Sequence, residues 1–146
     1  MIIEWRPRVL DSGALIAEEH PAGRAKIEAL VAAAIEQGAT IVLPAGAIAE
    51  AWRRRPTSAT SRLAATMNAI PVLDEATAYL IGQLNGATRR AQIADAHVAL
   101  EAAKRAPCVV LTSDPDDVSA LLTHLGVTNA IGEQAKRNTL VRIELC

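Results

Sequence analysis

The sequence predicts an α/β domain in three layers, a central and mostly parallel sheet flanked on both faces by helices. Three observations predict it. Short runs rich in Val, Ile and Leu alternate with longer Ala-rich stretches, the order that strand-helix-strand crossovers require. Gly38, Pro44, Pro56, Pro71, Gly86, Pro107 and Gly126 stand at most of the joins. The 146 residues, 51% hydrophobic and 21% charged, suffice for one ordinary core and not for two, so residues 1–146 are read as a single domain.

In chain order, Arg8 to Leu10 is a short apolar run and the first strand. Ala22 to Gln37 is Ala-rich and stops before Gly38, as a helix does. Thr40 to Leu43 is a β-branched run closed by Pro44, and two helices follow, Ala45 to Arg54 and Ser58 to Asn68, divided by Pro56. Pro71 to Leu73 is a weaker strand. Glu75 to Leu84 is a helix closed by Gly86, and Ile93 to Arg105 a helix closed by Pro107. Val109 to Thr112 is a further strand, and Pro115 to His124 is a helix with Pro at its first position. Ile131 to Asn138 reads as a polar loop or short helix before a last strand, Leu140 to Leu145.

Composition narrows the function. With a formal net charge of -1, no overall field draws the chain onto nucleic acid or anionic lipid, so any grip on a polyanion has to be local. The two cysteines, Cys108 and Cys146, form no CxxC and have no nearby His pair, which encodes neither a disulfide framework nor a zinc site. The opening MIIEWRPRVL lacks the apolar core and cleavage site of a signal peptide, and no run of 18 apolar residues occurs; a cytoplasmic protein is expected. Trp5, Trp52 and Tyr79 are the only aromatics, too few for a reader that stacks bases. If the chain handles RNA, it holds phosphate.

In a parallel sheet ligands gather beyond the carboxyl ends of the strands, and the acidic residues fall there. Asp11 follows Arg-Val-Leu and precedes Ser12-Gly13; helix capping alone would account for it. Asp114 ends Val109-Val110-Leu111-Thr112-Ser113, and Asp at the N-cap, Pro115 at N1 and Asp116 and Asp117 behind it are good helix-start chemistry without any activity. Capping leaves unexplained why two strands of one sheet each end in Asp, both at the same edge. Asp95 lies in Ile93-Ala94-Asp95-Ala96-His97-Val98, a helix apolar on nearly every side; it either caps a helix beginning at Ala96 or needs a cation as partner. Glu50, taken alone, is a solvated partner of Arg54. His97 and His124 read as packing or surface residues.

Together these segments resemble the PIN-domain nucleases, and especially the VapC toxins of bacterial toxin-antitoxin pairs. An Asp in V-L-D-S-G-A-L, a Glu in a helix after a short strand, an Asp in A-D-A-H-x-A and T-S-D-P-D-D after a hydrophobic strand follow the family's order of acids, from Val9 to about Leu122. The resemblance implies a PIN-like fold and a metal-dependent endoribonuclease. It implies Asp11, Glu50, Asp95 and Asp114 as the metal-binding and catalytic set, with Asp116, and in some measure Asp117, as outer members. Gly13 stands where many relatives have Ser or Thr, Asp117 where an aromatic is common, and the segment after Gly126 is long.

The chemistry is coherent. Two unit charges ~4 Å apart repel by about 4 kcal/mol at an effective dielectric near 20, so converging carboxylates call for a divalent cation. Hard oxygen donors suit Mg²⁺ or Mn²⁺, which would activate a water for attack on phosphate. Asp11 and Asp114 would ligate most directly, with Glu50 and Asp95 acting through water. Arg53, Arg54 and Arg55, and Arg89 and Arg90, are the expected phosphate contacts, since a planar fork matches phosphate. A catalytically silent PIN-like interaction module is the alternative. An aspartyl phosphatase is disfavoured, because no second Asp stands two residues after Asp11.

The resemblance also implies a homodimer held inactive by a small antitoxin. Ala-rich faces at Ala25 to Ile35 and Ala47 to Trp52 would let a partner helix approach closely. Trp52 would serve as anchor or as plain core, and an Arg of the inhibitor would enter the acidic pocket.

Overall fold

A computed structural model describes residues 5–53, 55–136 and 138–146. The strands are β1 (Arg8–Leu10), β2 (Ile41–Val42), β3 (Cys108–Thr112), β4 (Asn129–Ile131) and β5 (Val141–Leu145). The helices are α1 (Ser12–Ala17), α2 (Pro21–Glu36), α3 (Ala45–Trp52), α4 (Ser58–Ala65), α5 (Glu75–Thr88), α6 (Ile93–Arg105) and α7 (Pro115–His124), with a 3-10 turn at Gly132–Gln134. The five strands form one sheet in the order β2-β1-β3-β5-β4, and every pairing is parallel. The chain is therefore α/β, with helices flanking a parallel sheet, and this is consistent with a PIN-like three-layer arrangement. None of the described helices is long and apolar enough to cross a membrane.

A parallel sheet covered on both faces needs apolar side chains in both directions. β1 and β3 meet this: every residue of both is buried. They lie side by side in register, Val9 against Val110 and Leu10 against Leu111. Around them close Ile27 and Val31 of α2, Val98 of α6, Leu121 and Leu122 of α7 and Ile143 of β5.

Five elements differ from expectation. Pro71 to Leu73 forms no strand. Instead Asn68 covers the open edge of β2: its Oδ1 accepts from Ile41 N at 2.7 Å and its own N donates to Ile41 O at 2.9 Å. Leu43 N then donates to Ala69 O and Ala45 N to Pro71 O. Pro71 has no N–H to continue a ladder, so the pairing stops at a single bridge, Val42 to Ala69. The same bonds to Asn68 explain why α4 ends at Ala65, short of the Asn68 expected. α5 runs past Gly86 to Thr88, because neither Gly82 nor Gly86 has to satisfy a turn. β4 and α1 are the additions. Asn129–Ile131 is too short and polar to be legible, yet it pairs with Val141 to Ile143 of β5. α1 was announced only by the capping chemistry of Asp11.

Candidate active site

The site forms where β1 and β3 end together. Asp11 N continues their ladder by donating to Leu111 O at 2.9 Å, which places Asp11 beside Thr112. Thr112 Oγ1 donates to Asp11 Oδ2 at 2.7 Å and accepts from Asp114 N at 3.0 Å, so one hydroxyl ties the first acid to the backbone of the second. The other oxygen, Asp11 Oδ1, accepts from Ser12 N at 2.7 Å at the start of α1. Asp11 is thus buried with both oxygens satisfied. Gly13 makes this approach feasible: a Cβ there would lie 2.8 Å from Ser113 N and 2.3 Å from Ser113 Oγ, so a side chain would push the β3–α7 loop away from α1.

Asp114 occupies the N-cap of α7 but makes no capping bond with its side chain. Pro115 at the first position removes one orphan donor, and Asp116 and Asp117 complement the helix dipole. Capping therefore does not use the Asp114 carboxyl.

Asp95 is the third residue of α6, which starts at Ile93 behind Gln92 and not at Ala96, so it is no cap. Its side chain is buried and within hydrogen-bonding reach of Asp11. Burial first, and then the charge and hydrogen bond of Asp11 and the charges of Asp114 and Asp117, push its carboxyl up to about 8. At neutral pH this favours the protonated form of Asp95. Asp114 is raised as well, by burial and then by Asp11 and Asp117.

Beside this pair opens a cavity of about 230 Å³ lined by Ser12, Glu50, Gln92, Asp95, Asp114 and Asp117. Glu50 reaches it from α3 and is held by Arg53 Nη2 at 2.7 Å; Arg54 lies outside the described residues. α3 in turn is fixed by His97. Pro44 at its N-cap has no capping side chain, and Gly46 N donates to His97 Nδ1 at 3.0 Å instead. The imidazole is fully buried, its pKa lowered chiefly by that burial, and a Cβ at residue 46 would press on the ring at 3.1 Å. His97 thereby docks the helix of Glu50 onto the helix of Asp95.

Four acids read from sequence, Asp11, Glu50, Asp95 and Asp114, are thus gathered at one edge of the sheet. Asp116 is exposed and does not line the cavity; Asp117 does, and pairs with Arg90. Sequence reasoning passed over Thr112, although a Thr two residues before Asp114 at a strand end is a usable sign of a hydroxyl facing the neighbouring strand. The donors are hard oxygens, the chemistry of a Mg²⁺ or Mn²⁺ site. As the side chains stand, no group of three His, Cys, Asp or Glu among the described residues closes into a metal-holding arrangement.

Comparison with known proteins finds no family model that matches the chain and no curated protein that matches it.

Proposed function

We propose that this protein is a Mg²⁺- or Mn²⁺-dependent endoribonuclease of the PIN-domain kind, a VapC-type toxin acting in the cytoplasm. The observation that carries the reading is the burial of Asp11 and Asp95 at one strand edge, where Asp95, Asp114 and Glu50 line one cavity. Two carboxyls from distant parts of the chain are buried near one another, with Asp114 and Glu50 beside them, and burial with the neighbouring acids raises the Asp95 pKa to about 8. Packing alone gives no reason to assemble them, since buried like charges are destabilising unless neutralised.

The chain's own residues would divide the work. Asp11, fixed by Thr112 and Ser12, is the most rigid donor. Asp114, tied to the same Thr112 through its backbone N–H, is the second. Asp95 offers a carboxylate only after its proton leaves. Glu50, partly exposed beside Arg53, would orient a water or accept its proton. When bound, the cation would neutralise charge on the scissile phosphate and acidify the attacking water.

A homodimer and an inhibitory small protein also belong to this proposal. A groove of about 220 Å³ between α2 and α4, with Val31, Ile35 and Leu63 against Glu18 and Glu28, suits an apolar helix carrying Lys or Arg. Trp52 is exposed enough to serve such a partner.

The test is incubation of the purified protein with mixed cellular RNA and Mn²⁺, with and without EDTA, beside Asp11→Asn and Asp114→Asn. Cleavage that requires Mn²⁺ and both Asp residues is expected. Calorimetry that detects no Mn²⁺ binding would make the chain a silent interaction module instead.

A further inference from the structure

The acid cavity has a neighbour of opposite character. Gln92, Asp95 and Asp117 line both, and beyond them a second cavity of about 250 Å³ is walled by Arg89, Arg90 and Leu121. The two arginines are brought there by the way α5 ends. Arg89 takes a left-handed conformation (φ 56°), where Gly or Asn is the usual choice. Asn85 O receives the backbone N–H of both Arg89 and Arg90, the latter at 2.9 Å. The turn therefore presents consecutive guanidinium groups rather than the small residue its backbone favours.

Their partners are incomplete. Arg89 is exposed, with no hydrogen bond or ion pair among the described residues. Arg90 pairs through Nη1 with Asp117, while its Nε is buried without a hydrogen-bond partner among the described residues. A polyanion approaching Asp11, Glu50, Asp95, Asp114 and Asp117 meets negative charge, and the chain's net charge of -1 gives it no general attraction. Fixed cations next to the cleft are what could hold it.

We propose that this second cavity is a subsite for a phosphodiester of single-stranded RNA adjoining the one to be cut, gripped by Arg89 and by Arg90 as Arg90 exchanges Asp117 for phosphate. The proposal rests on the nuclease reading above. Arg offers a fork that matches two phosphate oxygens, and Asp117 holds that fork ready until the strand arrives. Scarcity of aromatics fits a grip on backbone rather than base, so the subsite is indifferent to sequence.

The experiment compares Mn²⁺-dependent cleavage of a two-nucleotide RNA, which has a single phosphodiester, with that of a fluorescently labelled eight-nucleotide RNA. The parent prefers the longer strand. Arg89→Ala and Arg90→Ala each reduce that preference by roughly tenfold, the loss of one charge-assisted contact, mostly through KM. Each also flattens the dependence of log(kcat/KM) on log salt by about 0.7, one phosphate contact on a single strand. Asp117→Asn, which releases Arg90, lowers KM for the longer strand. Arg90 acting only as a structural partner of Asp117 predicts the opposite, that Asp117→Asn raises KM as Arg90→Ala does, and that result overturns the proposal. So does an unchanged length preference in both arginine variants while the parent cuts. If the parent cuts neither RNA with Mn²⁺, the nuclease reading itself fails, and the subsite with it.

Discussion

Asp11 and Glu18 flank the same short helix, α1, one at each end, and both are buried. The first has both oxygens hydrogen-bonded, to Thr112 and to Ser12 N; neither oxygen of the second has a hydrogen-bond partner among the described residues. The helix itself is part of the reason. Unpaired N–H groups at an N-terminus welcome a carboxylate, whereas unpaired carbonyls at a C-terminus repel one. Glu18 has Arg24 Nε at 3.8 Å, longer than a hydrogen bond, and shares its groove with Glu28 of α2 and Arg62 of α4. Burial first, then the neighbouring Glu28 carboxylate, push it up to about 7. The two buried acids of α1 thus meet different fates. At the sheet edge Asp11 joins other acids beside a polar cavity, and at the other end of α1 Glu18 borders an apolar groove.

The largest expected effect separates the two by chemistry. Asp95→Asn keeps a donor for Asp11 but removes a carboxylate, so Mn²⁺-dependent cleavage should fall by at least about 100-fold, more than is usual for losing an outer partner of a ligand. Metal-free stability should hold or rise. Glu18→Gln should act on stability and not in this way on turnover; equal loss of rate in both variants would erase the distinction.

Thr112→Val keeps the shape and removes the hydroxyl that joins Asp11 to Asp114 N. Metal affinity or rate should drop by roughly 10–100-fold, with Asp11 still buried. An unaffected variant would mean that the strand ends alone position the acids.

The proton on Asp95 gives a pH dependence. Its pKa is raised in the fold to about 8, so Mn²⁺ must displace a proton below that pH. Apparent Mn²⁺ affinity should weaken by up to about tenfold per unit as pH falls from 8 to 6, measured calorimetrically. A flat profile would show that the cation is held without Asp95.

The smallest effect sharpens the other end of α1. The Glu18 pKa is raised from 4.5 to about 7, so its contribution to stability is fully present below about 4.5 and is lost as pH rises through 7. Glu18→Gln should melt several degrees above the parent at pH 8 and no higher at pH 4.5. A parallel shift at both pH values would assign the change to packing rather than to the proton.

Much of this was legible in the chain. Alternating apolar and Ala-rich runs determine a parallel α/β sheet, because only buried strands tolerate continuous Val-Val-Leu and only crossovers join them. The placement of Asp11 and Asp114 follows from the same logic, each being the first acid after a strand. Asp95 stood undecided, since a cap and a buried acid have the same letters; the start of α6 at Ile93 decides it. Tertiary structure alone determined the rest. Register between β1 and β3 sets Thr112 against Asp11, and the close contact of Gly13 with Ser113 brings the loops together. The burial of His97 against Gly46 fixes Glu50 near Asp95, while the left-handed turn at Arg89 sets two arginines beside Asp117. Each of these joins residues far apart in sequence through a distance or a backbone angle. A local pattern encodes what a segment prefers to be, and only packing decides which segments meet.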